Sequence, residues 1–176
     1  MRAMPSLGFS FPQTPAPRGF TLTELLVCLA LIASLTAFAI PSMQRLQERH
    51  RVNAARDQLL NDLQASRTRA LQRGEPLQMS RLQDCAWATS TDTDWSCGWT
   101  LRLKSNQTVL QTSPLHTSLQ VRFAKSTPLE VSARGDLGSV GDHWVIRSRN
   151  TALGIASTVC VNSTSRLRWQ SGESCS

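Results

Sequence analysis

The sequence predicts an α+β fold, with one long N-terminal helix packed on an antiparallel β-sheet head. Two patterns predict it. A 21-residue apolar run, Phe20–Ile40, passes into an amphipathic stretch that ends at Gly74. Beyond Gly74 the period changes to short alternating runs separated by turn residues, as strands with one buried face read. The 176-residue chain thus divides into a leading segment 1–19, an apolar helix 20–40, an amphipathic helix 41–74 and a β-rich head 75–176 that ends in a basic hairpin. The residues after the apolar run suffice for one hydrophobic core.

Within Phe20–Ile40, the one side chain charged at neutral pH is Glu24. At about 1.5 Å per residue, a helix of this length spans roughly 30 Å, the hydrocarbon core of a bilayer. A cleaved signal peptide has a shorter apolar region, of about 7 to 15 residues. The stretch TAFA, Thr36–Ala39, nonetheless offers an A-x-A site, and cleavage after Ala39 would release a soluble periplasmic domain. Glu24 bears on the choice, because a carboxylate in lipid costs on the order of a few kcal/mol and needs a partner, and it has no purpose in a simple anchor or a discarded signal. If the chain is cut after Gly19, Glu24 lies one turn from the new amine of Phe20, near the positive end of the helix dipole. The amine of a neighbouring copy would serve equally, which makes the charge an assembly device. Counting positive residues gives the opposite orientation: Arg2 and Arg18 precede the run, while Arg45, Arg49, Arg51 and Arg56 follow it. Four downstream cysteines weigh against that count.

The stretch G-F-T-L-T-E-L-L-V, Gly19–Val27, resembles the leader of type IV pilins and pseudopilins. The resemblance implies that 1–19 is a prepilin leader peptide, cut after Gly19 by the prepilin peptidase, which then methylates Phe20. It implies that Glu24 guides docking into a filament, and that Pro41 marks a bend in the helix. It further implies a single-pass protein of the bacterial inner membrane with its head in the periplasm, later part of an extracellular pilus or periplasmic pseudopilus. Its partners would be major and minor pilins.

After Pro41, Leu46, Val52, Leu59, Leu60, Leu63, Ala70 and Leu71 recur near helical spacing and predict a core-facing stripe. Gly74 and Pro76 stop the helix. Arg45, Arg49, Arg51, Arg56, Arg67, Arg69 and Arg73 read as a solvated opposite face. Strands are expected at Leu77–Leu82, Trp99–Lys104, Thr108–Gln111, Leu119–Phe123, Leu129–Ser132, Trp144–Arg149, Ser157–Asn162 and Arg166–Gln170. Ala88–Ser96 reads as a polar loop. With Cys28 set aside in the apolar run, the remaining cysteines form local pairs, Cys85/Cys97 and Cys160/Cys175, separated by 12 and 15 residues. There is no C-x-x-C and no histidine beside them, so two disulfides in an oxidising compartment are expected rather than a zinc site. The local pairing is the expectation.

Three stretches of the head resemble the GspH/FimT family. W-S-C-G-W-T-L-R-L, Trp95–Leu103, resembles its Gly-Trp strand. V-S-A-R-G-D-L-G, Val131–Gly138, resembles its F-x-x-x-G turn with Val131 at the aromatic position. V-C-V-N-S-T-S-R-L-R-W, Val159–Trp169, resembles its closing hairpin, which reads G-R-x-R. Enzyme signatures are absent from the sequence, and no catalysis, metal or cofactor is expected. His50, His116 and His143 are scattered, with no nucleophile at a recognisable spacing. G-D-L-G-S-V-G, Gly135–Gly141, lacks the Lys-Ser/Thr of a phosphate loop. Asp92 and Asp94 fall in the polar loop with nothing to hold a metal.

The formal net charge of +7 favours anionic partners. Arg166 and Arg168 alternate along one strand and so share a face, with Trp169 on the other face or around the edge. Arg147 and Arg149 repeat the spacing. If their strands are neighbours, four guanidinia cluster with only Asp142 and Glu173 nearby, an arrangement suited to phosphate oxygens. The resemblance to FimT-like pilins implies that these arginines hold double-stranded DNA during uptake for natural transformation; S-R-L-R keeps both arginines and puts Ser165 in the glycine position. The other reading is a structural minor pilin, or a GspH-like type II secretion pseudopilin, that contacts other pilins and not DNA.

Overall fold

A computed structural model describes residues 19–83, 85–89, 91–138 and 142–175, and of 37–41 the backbone alone. One helix, α1 (Leu22–Arg73), is followed by β1 (Leu77–Arg81), β2 (Gly98–Leu103), β3 (Val109–Pro114), β4 (Leu119–Phe123), β5 (Leu129–Val131), β6 (His143–Ser148), β7 (Ala156–Val161) and β8 (Leu167–Ser171). All eight expected strands form. β3 runs on to Pro114 rather than stopping at Gln111, because Thr112 and Ser113 continue the ladder opposite Thr100 and Trp99 without any apolar alternation.

The chain forms two compact units, with the boundary after Pro41. In the first, Thr21 starts the helix: the Glu24 N–H donates to Thr21 Oγ1 at 3.2 Å and the Leu25 N–H to the Thr21 carbonyl at 3.1 Å. Thr21 is thus the N-cap of the helix. Leu22, Leu25, Leu26, Val27, Leu29, Leu31, Ile32 and Leu35 are all exposed. The hydroxyls of Ser34 and Thr36 donate back to the carbonyls of Leu31 and Ala33, so these polar groups are satisfied within the helix. Among the described residues, no helix is long and apolar enough to cross a membrane. The expected span 20–40 includes 37–40, and the expected bend falls on Pro41; these side chains lie outside the described residues.

In the second unit, Val52, Ala55, Leu59, Leu63, Ser66 and Ala70 recur every three or four residues and are buried against the head. The stripe differs from expectation at both ends, where Leu46 and Leu71 are exposed. Leu71 follows Ala70 by one residue, about 100° around the helix, and so leaves the seam. Polar contacts fix the seam's register. Asp62 accepts from Trp99 Nε1 at 2.8 Å, Ser113 Oγ at 2.7 Å and Gln111 Nε2 at 2.5 Å, tying α1 to β2 and β3.

The strands form two antiparallel sheets, β3-β2-β1-β5 and β4-β6-β7-β8. Leu77, Met79, Trp99, Leu101, Leu129 and Val131 of the first are buried, as are Leu119, Val121, Phe123, Trp144, Ile146, Val159 and Val161 of the second. Phe123 and Trp144 stack at 4.4 Å, and Trp95 meets Phe123 edge-on at 5.1 Å. Gly98 enters β2 at φ +106°, where an added Cβ would sit 2.0 Å from the Ser113 carbonyl oxygen.

The polar Ala88–Ser96 loop is exposed at Thr89, Thr91 and Asp92 and buried at its end, in Asp94, Trp95 and Ser96. Its end runs beside β4: the Trp95 N–H donates to Val121 O at 2.8 Å and the Phe123 N–H to Thr93 O at 2.9 Å. Trp95 is buried, and so is Asp94, which accepts from the Thr89 N–H and hydroxyl at 2.6 Å and from the Ser96 N–H and hydroxyl at 2.9 and 2.5 Å. Burial alone would raise the Asp94 pKa, but the hydrogen bonds from Ser96 and Thr89 outweigh it and hold the carboxyl below its ordinary value. Asp94 and Ser96 satisfy one another, with help from the exposed Thr89, which is why these two can be buried.

Candidate functional site

At the start of the chain, Gly19 and Phe20 precede the first helical turn and are exposed, and Glu24 is exposed in that turn. Its position at the helix N-terminus suits a negative charge. The head carries two disulfides, Cys85–Cys97 and Cys160–Cys175. Cys28 is free.

The four predicted DNA-contact arginines do not form one cluster. β7 lies between β6 and β8. Arg147 is opposite Ala156 at one end of β7, whereas Arg168 is opposite Cys160 toward the other. Four residues and two strand spacings separate them, about 14 Å along and 10 Å across. Arg147 and Arg149 are also engaged internally. Arg147 donates to Gln120 Oε1 at 2.9 Å and pairs with Glu173 at 3.4 Å. Arg149 donates to the carbonyls of Thr117 and Trp87 at 2.9 and 2.7 Å, fastening the Cys85–Cys97 loop. Sequence alone cannot order strands, and the cluster depended on that order.

Arg166 and Arg168 stand differently. Both are exposed, and among the described residues neither guanidinium has a hydrogen-bond or ion-pair partner. Trp169 points the opposite way, with the Arg56 guanidinium 3.9 Å from its ring centroid. The sequence reading missed Arg122, which sits on the outward face of β4, exposed and likewise without a side-chain partner among the described residues. Through the registers Arg122↔Val145, Val145↔Thr158 and Thr158↔Gln170 it lies on the same face as Arg168, but three strand spacings and two residues away, about 14 Å across and 7 Å along, so it is about as far from Arg168 as Arg147 is. The alternation in L-Q-V-R-F gives its direction, and a groove on that face places it beside Arg147 and Glu173.

The hairpin bearing Arg166 and Arg168 is held by its own Ser165 and by Arg67, which the helix spacing assigns to a solvated face. Ser165 has φ +59°, the left-handed conformation that glycine adopts freely, so the serine keeps the turn shape. Its hydroxyl bonds both the N–H and the carbonyl of Leu137, at 3.1 and 3.3 Å. Arg67 of α1 donates to the carbonyls of Gly135 and Ser165 at 2.8 and 3.0 Å. The helix arginines are therefore not simply a solvated face. Arg51 pairs with Glu48, Arg56 lies on Trp169, Arg67 clamps two turns and Arg69 donates to Gln111. Among the described residues, no group of three or more His, Cys, Asp or Glu could hold a metal ion. What the face offers is free guanidinium forks for oxyanions.

An N-terminal helix carrying this leader pattern, set before a two-sheet antiparallel head, defines a type IV pilin-like subunit. The chain belongs to the type II transport protein GspH family, whose model matches residues 55–165, while the prokaryotic N-terminal methylation motif matches residues 16–40. Among solved structures it is similar to the type IV minor pilin FimU of Pseudomonas aeruginosa PAO1, at 17% identity and a TM-score of 0.54 over 70% of this chain and 99% of that one. It is also similar to the minor pseudopilin EpsH of the Vibrio cholerae type 2 secretion system, at 14% identity and a TM-score of 0.53 over 69% and 97%. These likenesses concern the fold. No curated protein matches the chain.

Proposed function

We propose that this chain is a non-enzymatic minor pilin, cut after Gly19 by the prepilin peptidase, methylated on Phe20, and assembled into a pilus. The apolar side chains of Leu22–Leu35, exposed among the described residues, support a helix that packs in lipid and then against other pilin helices. In this reading Phe20–Ile40 crosses the inner membrane, the head occupies the periplasm, Glu24 pairs with an N-terminal amine of a neighbour, and Pro41 lets the helix bend. After assembly the head is displayed on the filament.

The head binds double-stranded DNA through phosphates, without sequence preference. The observation that carries this is the exposed, unpartnered pair Arg166 and Arg168. Such contacts release counterions, so affinity falls with salt by about 0.9 log units per log unit for each phosphate engaged. The test is binding of the mature chain in detergent to duplex DNA across a salt series, beside Arg166→Ala/Arg168→Ala. The variant should bind more weakly and lose roughly two units of slope. If wild type does not bind at low salt, the chain is a structural subunit of the GspH kind. The internal engagement of Arg147 and Arg149 favours that second reading, because it removes two cations from the free surface.

A further inference from the structure

A cavity of about 430 Å³ opens at the end of the first sheet, between β1, β2 and the turn after β4. Ser80, Arg81, Asp92, Arg102, Ser126 and Thr127 are among its lining residues. Two guanidinia and one carboxylate leave the wall with a net positive charge. We propose that this cavity binds a small hydrophilic ligand carrying an oxyanion, of about the size of an acidic monosaccharide, with Arg102 as its anion-binding residue.

The two arginines differ in what they lack. Arg81 already has a carboxylate, Asp92, at 2.9 Å. Arg102 is half-buried, and its Nε donates to Thr100 Oγ1 at 3.3 Å. Its terminal N–H groups reach no acceptor among the described residues. A guanidinium drawn partly out of water without a counter-charge gains from an arriving oxyanion, and its planar fork fits a carboxylate or phosphate in two bonds.

The opposite wall adds donors. Neither the hydroxyls nor the backbone N–H groups of Ser126 and Thr127 donate to any group among the described residues. The volume falls within the range of about 300 to 1,000 Å³ usual for ligand sites, but the lining is polar where such sites are mostly apolar. A ligand that fits is therefore itself polar. Arg102 and Arg168 belong to different sheets, and the inference does not depend on DNA binding.

The test uses the mature chain in detergent micelles, titrated by NMR with inorganic phosphate, glucuronate and glucose. Phosphate and glucuronate should bind and glucose should not. Arg102→Gln should weaken both anions about tenfold, as loss of a charge-assisted bidentate contact does. Thr127→Val, which keeps the side-chain volume, should weaken them less, and Arg168→Gln should leave them unchanged. Tighter binding of glucuronate than of phosphate identifies a sugar acid as the better ligand; the reverse identifies a bare oxyanion, and both support the site. No binding of either anion at millimolar concentration overturns the proposal, as does binding that survives Arg102→Gln or falls equally in Arg168→Gln.

Discussion

The hydroxyl of Ser165 closes a two-way bond with one backbone residue, accepting from the Leu137 N–H at 3.1 Å and donating to the Leu137 carbonyl at 3.3 Å. Ser165 makes it from a left-handed backbone that costs a non-glycine residue roughly 1 to 2 kcal/mol. The bond joins the β7–β8 turn to the segment after β5. Ser165→Ala keeps the backbone cost and leaves buried Leu137 groups unpaired, so denaturant unfolding should show a loss of about 1 to 3 kcal/mol. Ser165→Gly loses the same bonds but relieves the backbone, and should be about 1 kcal/mol more stable than the alanine variant. The reverse order would show that the left-handed backbone costs little there, and a Ser165→Ala loss well under 1 kcal/mol, on the order of a few tenths, would show that the hydroxyl contributes little.

Gly98 has no tolerated substitute. A Cβ there would lie 2.0 Å from a backbone oxygen of β3, and the positive φ disfavours any side chain. Gly98→Ala should cost more than about 4 kcal/mol and leave little folded head by circular dichroism. A variant that melts within a few degrees of wild type would mean β2 and β3 can separate cheaply.

Asp94 should make the head acid-sensitive. Its folded pKa lies below the ordinary aspartate value of 3.8, so the carboxylate's contribution is present above that value. It is lost as pH falls below 3.8 and through the folded pKa, because the unfolded state takes up the proton more readily. Asp94→Asn should lower stability at neutral pH and narrow its gap to wild type below pH 3.8. A gap constant across that window would remove Asp94 from the acid response.

Glu24→Ala should leave membrane insertion intact and abolish recovery of the chain in sheared filaments. The Thr21 cap does not use the Glu24 side chain: it bonds the Glu24 backbone N–H, so the helix still starts. Normal amounts of the variant in filaments would refute the proposed pairing with an amine.

Most of the fold was legible because alternation and helical spacing are local. L-Q-V-R-F and H-W-V-I-R-S each show a buried and an exposed face without knowledge of their neighbours. The site was less legible, since its composition depends on sheet order. Arg147 and Arg168 have the same local pattern, yet β7 separates them and Glu173 occupies the first. Arg122 joins the exposed face from a strand distant in sequence. The burial of Asp94 was not legible for another reason: its donors, Thr89 and Ser96, are brought to it by the fold of the loop, which composition does not specify.

The pairing of residues 93–95 with β4 has a further consequence for a chain proposed to polymerise through its helix. An open strand edge invites pairing with any other exposed strand, and on a crowded filament many identical heads sit close together. By laying its own backbone along β4, and tethering that segment through Cys97 to Cys85, the head blunts one edge of its second sheet. Head-to-head aggregation along that edge is thereby suppressed, and self-association is left to the part of the molecule whose geometry specifies a filament.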